Sequence, residues 1–140
     1  MQMDKVVSFN IVGERTGRTY SGSFTFKAMA SQRDEFDADL RRRQILGPSP
    51  DGTPPAANLQ MKAFILGQIY SRSIVAPDFW VQSSDGLDIL DQNVVYEIYE
   101  AIVKIDEEFS NEIKEDSKKA LEKLQKKDKK EKAQETTDKE

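Results

Sequence analysis

Behind Asp91 the apolar residues keep a helical rhythm: Val94, Val95, Ile98, Tyr99, Ile102, Ile105, Phe109 and Ile113 recur at intervals of three and four. A stripe of that period sustained over more than five turns is the mark of a long amphipathic helix with one face packed on other elements. The spacing predicts a helix over 91–124. Its start is marked by three acids set three apart, Asp85, Asp88 and Asp91.

The front of the chain has period two. In "KVVSFNIV", Val7, Phe9 and Ile11 share a face, and in "TYSGSFTFK" Tyr20, Phe24 and Phe26 do the same around Gly22. Gly13 and Gly17 in the connector can take positive φ, so residues 1–28 read as a β-hairpin. Two strands alone are marginal, and the hairpin must lie on or beside helices, or join a partner's sheet.

Ser31 reads as an N-cap, with Asp34 and Glu35 in the first turn, where the helix dipole favours acids. The helix over 31–46 carries Phe36 and Leu40 four apart and Arg41, Arg42 and Arg43 near its end, and Gly47–Pro48 stop it. After the linker "GPSPDGTPP", a helix over 55–75 is apolar almost all round, with only Lys62 and Arg72 charged, which predicts a central, buried position. Pro77 ends it, and a loop carries Phe79 and Trp80. The expected fold is α+β, mainly α: an N-terminal β-hairpin, a helical domain over 29–124 with three helices, the last long, and a disordered charged tail over 125–140. From Lys104 on, 23 of 37 residues are charged, and the final "KKDKKEKAQETTDKE" has no large apolar residue with which to form a core.

The 140 residues include no cysteine and no histidine. Disulfides, thiolate zinc sites, cysteine nucleophiles and imidazole chemistry are thereby excluded. A formal charge of −4 gives no overall field for nucleic acid or anionic lipid, and no stretch has the apolar length of a membrane span or the pattern of a signal peptide. The expectation is a soluble protein that binds neither nucleic acid nor membrane and uses no cofactor.

The remaining chemistry is carboxylate chemistry. A calcium loop sets its ligands two apart around a central glycine, and "DGLDILDQNVVYE" does not. "GERTGR" is no phosphate loop. Helix capping by Asp91, dipole stabilisation by Asp88, a turn at Asp85–Gly86 and apolar staples at Leu87 and Leu90 account for the segment. A metal-dependent enzyme built on the three acids is the outlying alternative.

Candidate partner contacts are Phe79 and Trp80, since tryptophan is favoured at binding hot spots, although packing of this loop on the core is the plainer reading. Others are Phe109 and Ile113, where the stripe outruns its own domain, and Arg41, Arg42 and Arg43, whose directions about 100° apart preclude one flat patch. Complementing the helix C-terminus is the plainer role for the three arginines.

The order of these pieces, with "RRRQILG", "ANLQMKAFILGQIYSR" and above all "APDFWVQSSDGLDILDQNVVYEIYEAI", resembles the tail assembly chaperones of long-tailed bacteriophages over roughly residues 5–109. The resemblance implies a non-enzymatic helper in the cytoplasm of the host bacterium. Such a protein coats the hydrophobic tape measure protein and helps recruit tail tube subunits; the exposed apolar surface that binding needs exceeds what a monomer normally shows, so self-association is expected to hide it. It also implies a minor product made by ribosomal slippage near the end of the gene, for which Lys126–Lys127 and Lys129–Lys130 offer adenine-rich codons; a merely solubilising role explains these lysines too. A minor structural component of the virion is the other function of this class.

Overall fold

A computed structural model describes the backbone of residues 4–138 and the side chains of residues 4–125. The elements are β1 (Lys5–Val12), β2 (Thr19–Phe26), α1 (Gln32–Leu46), α2 (Ala57–Arg72), β3 (Ser73–Val75), α3 (Asp78–Val81) and α4 (Gln92–Asp138). The architecture is α+β, mainly α, with the hairpin first and the longest helix last. The chain divides into two compact units, Met1–Asp106 and Glu107–Glu140.

In the first unit the hairpin pairs as its alternation predicts, Val7 opposite Phe24 and Ile11 opposite Tyr20. Ile11, Tyr20, Phe24 and Phe26 are buried, and Phe24 gathers a cluster by stacking on Phe26 at 5.0 Å and meeting Trp80 edge-on at 5.5 Å. Gly22 leaves the notch that Pro77 and Phe79 fill, since a Cβ there would strike Pro77. Against this sheet face pack Ile65 and Ile69 of α2 and Val94, Val95, Ile98, Ile102 and Ile105 of α4. The stripe of the last helix is therefore core up to Ile105.

Ser31 caps α1 as its position predicts: its hydroxyl accepts from the Asp34 amide at 3.1 Å, and Asp34 accepts from the Ser31 amide at 2.8 Å. Gly47 closes the helix at φ 68°. Phe36 and Leu40, however, do not face the core. α1 crosses α2 through small residues, with Ala38 buried over Gly67, where any Cβ would strike the Ala38 carbonyl. That contact turns the pair outward and leaves Phe36 74% exposed.

Two expectations for the second helix need correction. It ends at Arg72 rather than Val75, and Ser73–Val75 instead forms β3, antiparallel to β2 and at the edge of the sheet (order β1-β2-β3). The β-branched Ile74 and Val75 favour a strand, and Pro77 disfavours helix just before it. Nor is the helix buried all round. It buries Ala63, Ile65, Gly67 and Ile69 but leaves Leu59, Met61, Phe64 and Tyr70 exposed.

Arg72 is a deeply buried charge, 1% exposed. Its Nη1 and Nη2 donate to the two Asp106 oxygens at 3.0 and 2.8 Å, and Nη2 also donates to the Lys27 carbonyl at 2.9 Å. One side chain thus joins the ends of β2 and α2 to α4.

In the second unit, α4 exposes Ile113, Leu121 and Leu124, while Phe109 is half-buried. The disordered tail expected over 125–140 lies, from residue 126 on, outside the residues whose side chains are described. Among the described residues no helix is long and apolar enough to cross a membrane.

Candidate functional site

The three acids part company. Asp91 does not cap α4. Its Oδ1 accepts from the amides of Arg15 and Thr16 at 2.8 and 2.9 Å, and its Oδ2 from the hydroxyls of Thr16 and Tyr20 at 2.6 and 2.7 Å. The carboxylate, 1% exposed, is turned away from its own helix and holds the hairpin's turn. Asn93 adds to the grip, accepting from the Glu14 amide and donating to the Val12 carbonyl, both at 3.0 Å. Gly13 lies so close beneath Asp91 that a Cβ would strike the carboxyl group. Four donors outcompete the helix amides because the consecutive Arg15 and Thr16 N–H groups converge on Oδ1 while two hydroxyls satisfy Oδ2.

Asp88 accepts from the Ser84 hydroxyl at 2.8 Å. Asp85 sits in a left-handed turn at φ 54°, followed by Gly86 at φ 94°, over which the Trp80 ring lies too closely for any Cβ. The turn expected at Asp85–Gly86 is present. Leu87 and Leu90 are exposed rather than stapled, and the half-buried Ile89 packs on the core in their place. Among the described residues no cluster of three acids could hold a metal ion.

Burial pushes the Asp91 carboxyl up, but the bonds from Thr16, Tyr20 and Arg15 outweigh it and bring its pKa to about 2. Asp34 is shifted the same way: burial opposes the bonds from Lys27 and Ser31, and the bonds prevail. A carboxylate whose folded pKa lies below its unfolded value of 3.8 adds stability that is complete above that value. That stability is lost as pH falls toward the folded pKa. The melting temperature should hold near neutrality and fall between about pH 4 and pH 2, and Asp91→Asn should lower the neutral value and flatten the fall. An identical acid profile for Asp91→Asn, followed by circular dichroism, would contradict this assignment.

A cleft of about 660 Å³ opens between α1 and the segment from Tyr70 to Val81. Leu40, Tyr70, Ile74 and Val81 line it, each a large apolar side chain left exposed, and Phe36 stands one turn before Leu40. Lys27, Asp37, Arg41 and Asp85 supply charges of both signs. The Arg41 guanidinium lies over the Tyr70 ring, 4.8 Å from its centre. Ser73 and Ile74 bring the edge strand β3 to the same place, so the cleft combines apolar side chains with a sheet edge.

Of the candidate partner contacts named from the sequence, only Arg41 and Trp80 line this cleft, and of the three acids only Asp85. Arg42 and Arg43 both pair with Asp39, at 2.9 and 3.1 Å, whereas Arg41 lies over Tyr70, so the three arginines form no single patch. Trp80 is 1% exposed and Phe79 packs edge-on against Tyr20 at 5.5 Å. Both are core side chains here, and neither stands out as an anchor. Phe109 and Ile113 belong to the second unit. Leu40, Tyr70, Ile74 and Val81 went unmarked because each has the sequence signature of a core residue. Only the β-branched pair before "APD" hinted at an edge strand. No family model matches the chain, and neither a characterised protein nor a solved structure matches it.

Proposed function

We propose that this protein is a non-enzymatic tail assembly chaperone of a long-tailed bacteriophage, working in the host cytoplasm. It holds an apolar segment of the tape measure protein and helps bring tail tube subunits to it. The observation that supports this reading is the cleft, where Leu40, Tyr70, Ile74 and Val81 stay exposed on a fold that otherwise buries Phe24, Phe26 and Trp80. Contiguous exposed apolar surface of this kind marks an interaction site. The flanking charges of both signs keep the empty cleft wet and soluble, and the edge of β3 gives an extended segment a backbone to pair with.

The test is binding of tape measure segments, co-expressed with the full chain and measured by calorimetry. Leu40→Glu with Val81→Glu should weaken binding at least about tenfold, because two apolar residues that line the cleft become charged. The melting temperature should stay nearly unchanged, since both positions are exposed. Binding that is indifferent to this pair of changes removes the cleft as the seat, and absence of binding by the unaltered chain removes the proposed function.

A further inference from the structure

The second unit carries its own unpartnered face. On α4, Phe109, Ile113, Ser117, Ala120, Leu121 and Leu124 fall within about 120° of one another at 100° per residue, and Ile113, Leu121 and Leu124 are exposed. In heptad terms Ile113 and Ala120 occupy one core position, Ser117 and Leu124 the other. Charge is distributed unevenly along the same helix. Residues 107–116 hold five acids against Lys114 alone, whereas residues 117–125 hold Lys118, Lys119 and Lys123 against Glu122 alone.

That polarity selects the occupant of the face. We infer that α4 pairs with α4 of a second copy of this chain, running antiparallel, with Ile113 of one copy against Leu124 of the other and Ser117 against Ala120. Antiparallel pairing lays the acidic half of each helix beside the basic half of its partner and sets Asp116 near Lys123. Parallel pairing would lay acid on acid and lysine on lysine, which costs free energy at every turn. The small side chains at the centre let the two backbones approach, and the larger ones seal the two ends. The inference rests on the second unit alone and is independent of the cleft and of what the cleft holds.

Sedimentation equilibrium of the full chain, from about 10 μM to about 1 mM protein in low salt, tests it. The expected mass rises from one chain toward two, and the dimer weakens as salt screens the complementary halves. Ile113→Lys with Leu124→Lys should return the mass to that of one chain at every concentration while the melting of the first unit is unchanged. Orientation is read from a nitroxide on Ser110→Cys, the sole cysteine in a chain that has none. Antiparallel pairing places the two labels roughly 25–30 Å apart at 1.5 Å per residue, and parallel pairing about 10 Å. A chain monomeric throughout, a dimer unaffected by the paired lysine change, or a label separation near 10 Å overturns the inference.

Discussion

Replacing Asp91 by alanine should lower the melting temperature by roughly 15 °C, several times the effect of losing an ordinary helix cap. The reason lies in what the carboxylate leaves behind. The Arg15 and Thr16 amides and the Thr16 and Tyr20 hydroxyls all donate to it, and Tyr20 is itself buried. Alanine satisfies none of them, and the buried Tyr20 hydroxyl, left without a partner, carries its full desolvation cost. The turn from Gly13 to Arg18 then loses its only tie to the start of α4 except Asn93. Tyr20→Phe, which removes one donor together with its need for a partner, should cost far less. Thermal melts by circular dichroism decide the matter. A drop of only a few degrees for Asp91→Ala would show that the carboxylate acts as a simple cap after all.

Arg72→Ala should cost about 3–4 kcal/mol. The guanidinium and its stem are buried, so truncation leaves a cavity, and the Lys27 carbonyl and Asp106 lose their common donor. The partner change should be milder. Asp106 has half of its side chain in solvent, so Asp106→Ala lets water reach the guanidinium and should cost about 1–2 kcal/mol. Arg72→Met keeps the stem and the volume and should fall between the two. Chemical denaturation of the three variants separates packing from charge. Equal losses for Arg72→Ala and Asp106→Ala would mean that the ion pair, and not the filled space, carries the stability.

The elements were legible wherever local chemistry decides them. Alternation placed both strands of the hairpin and their buried faces, Ser31 and Gly47 marked the ends of α1, and the three-and-four rhythm marked the core face of α4 as far as Ile105. The absence of histidine and cysteine limited the chemistry before any fold was known. What the sequence could not decide was which of several apolar faces would find a neighbour. Gly67 and Ala38 are inconspicuous in the chain, yet their backbone contact sets how α1 crosses α2, and so leaves Phe36, Leu40 and Tyr70 in solvent. Asp91 had the position of a cap, but a turn 75 residues earlier offered it more donors than its own helix could. Local periodicity and capping are short-range free energies that a sequence displays directly. The cleft and the Asp91 grip depend on long-range competition between partners, which only the folded arrangement settles.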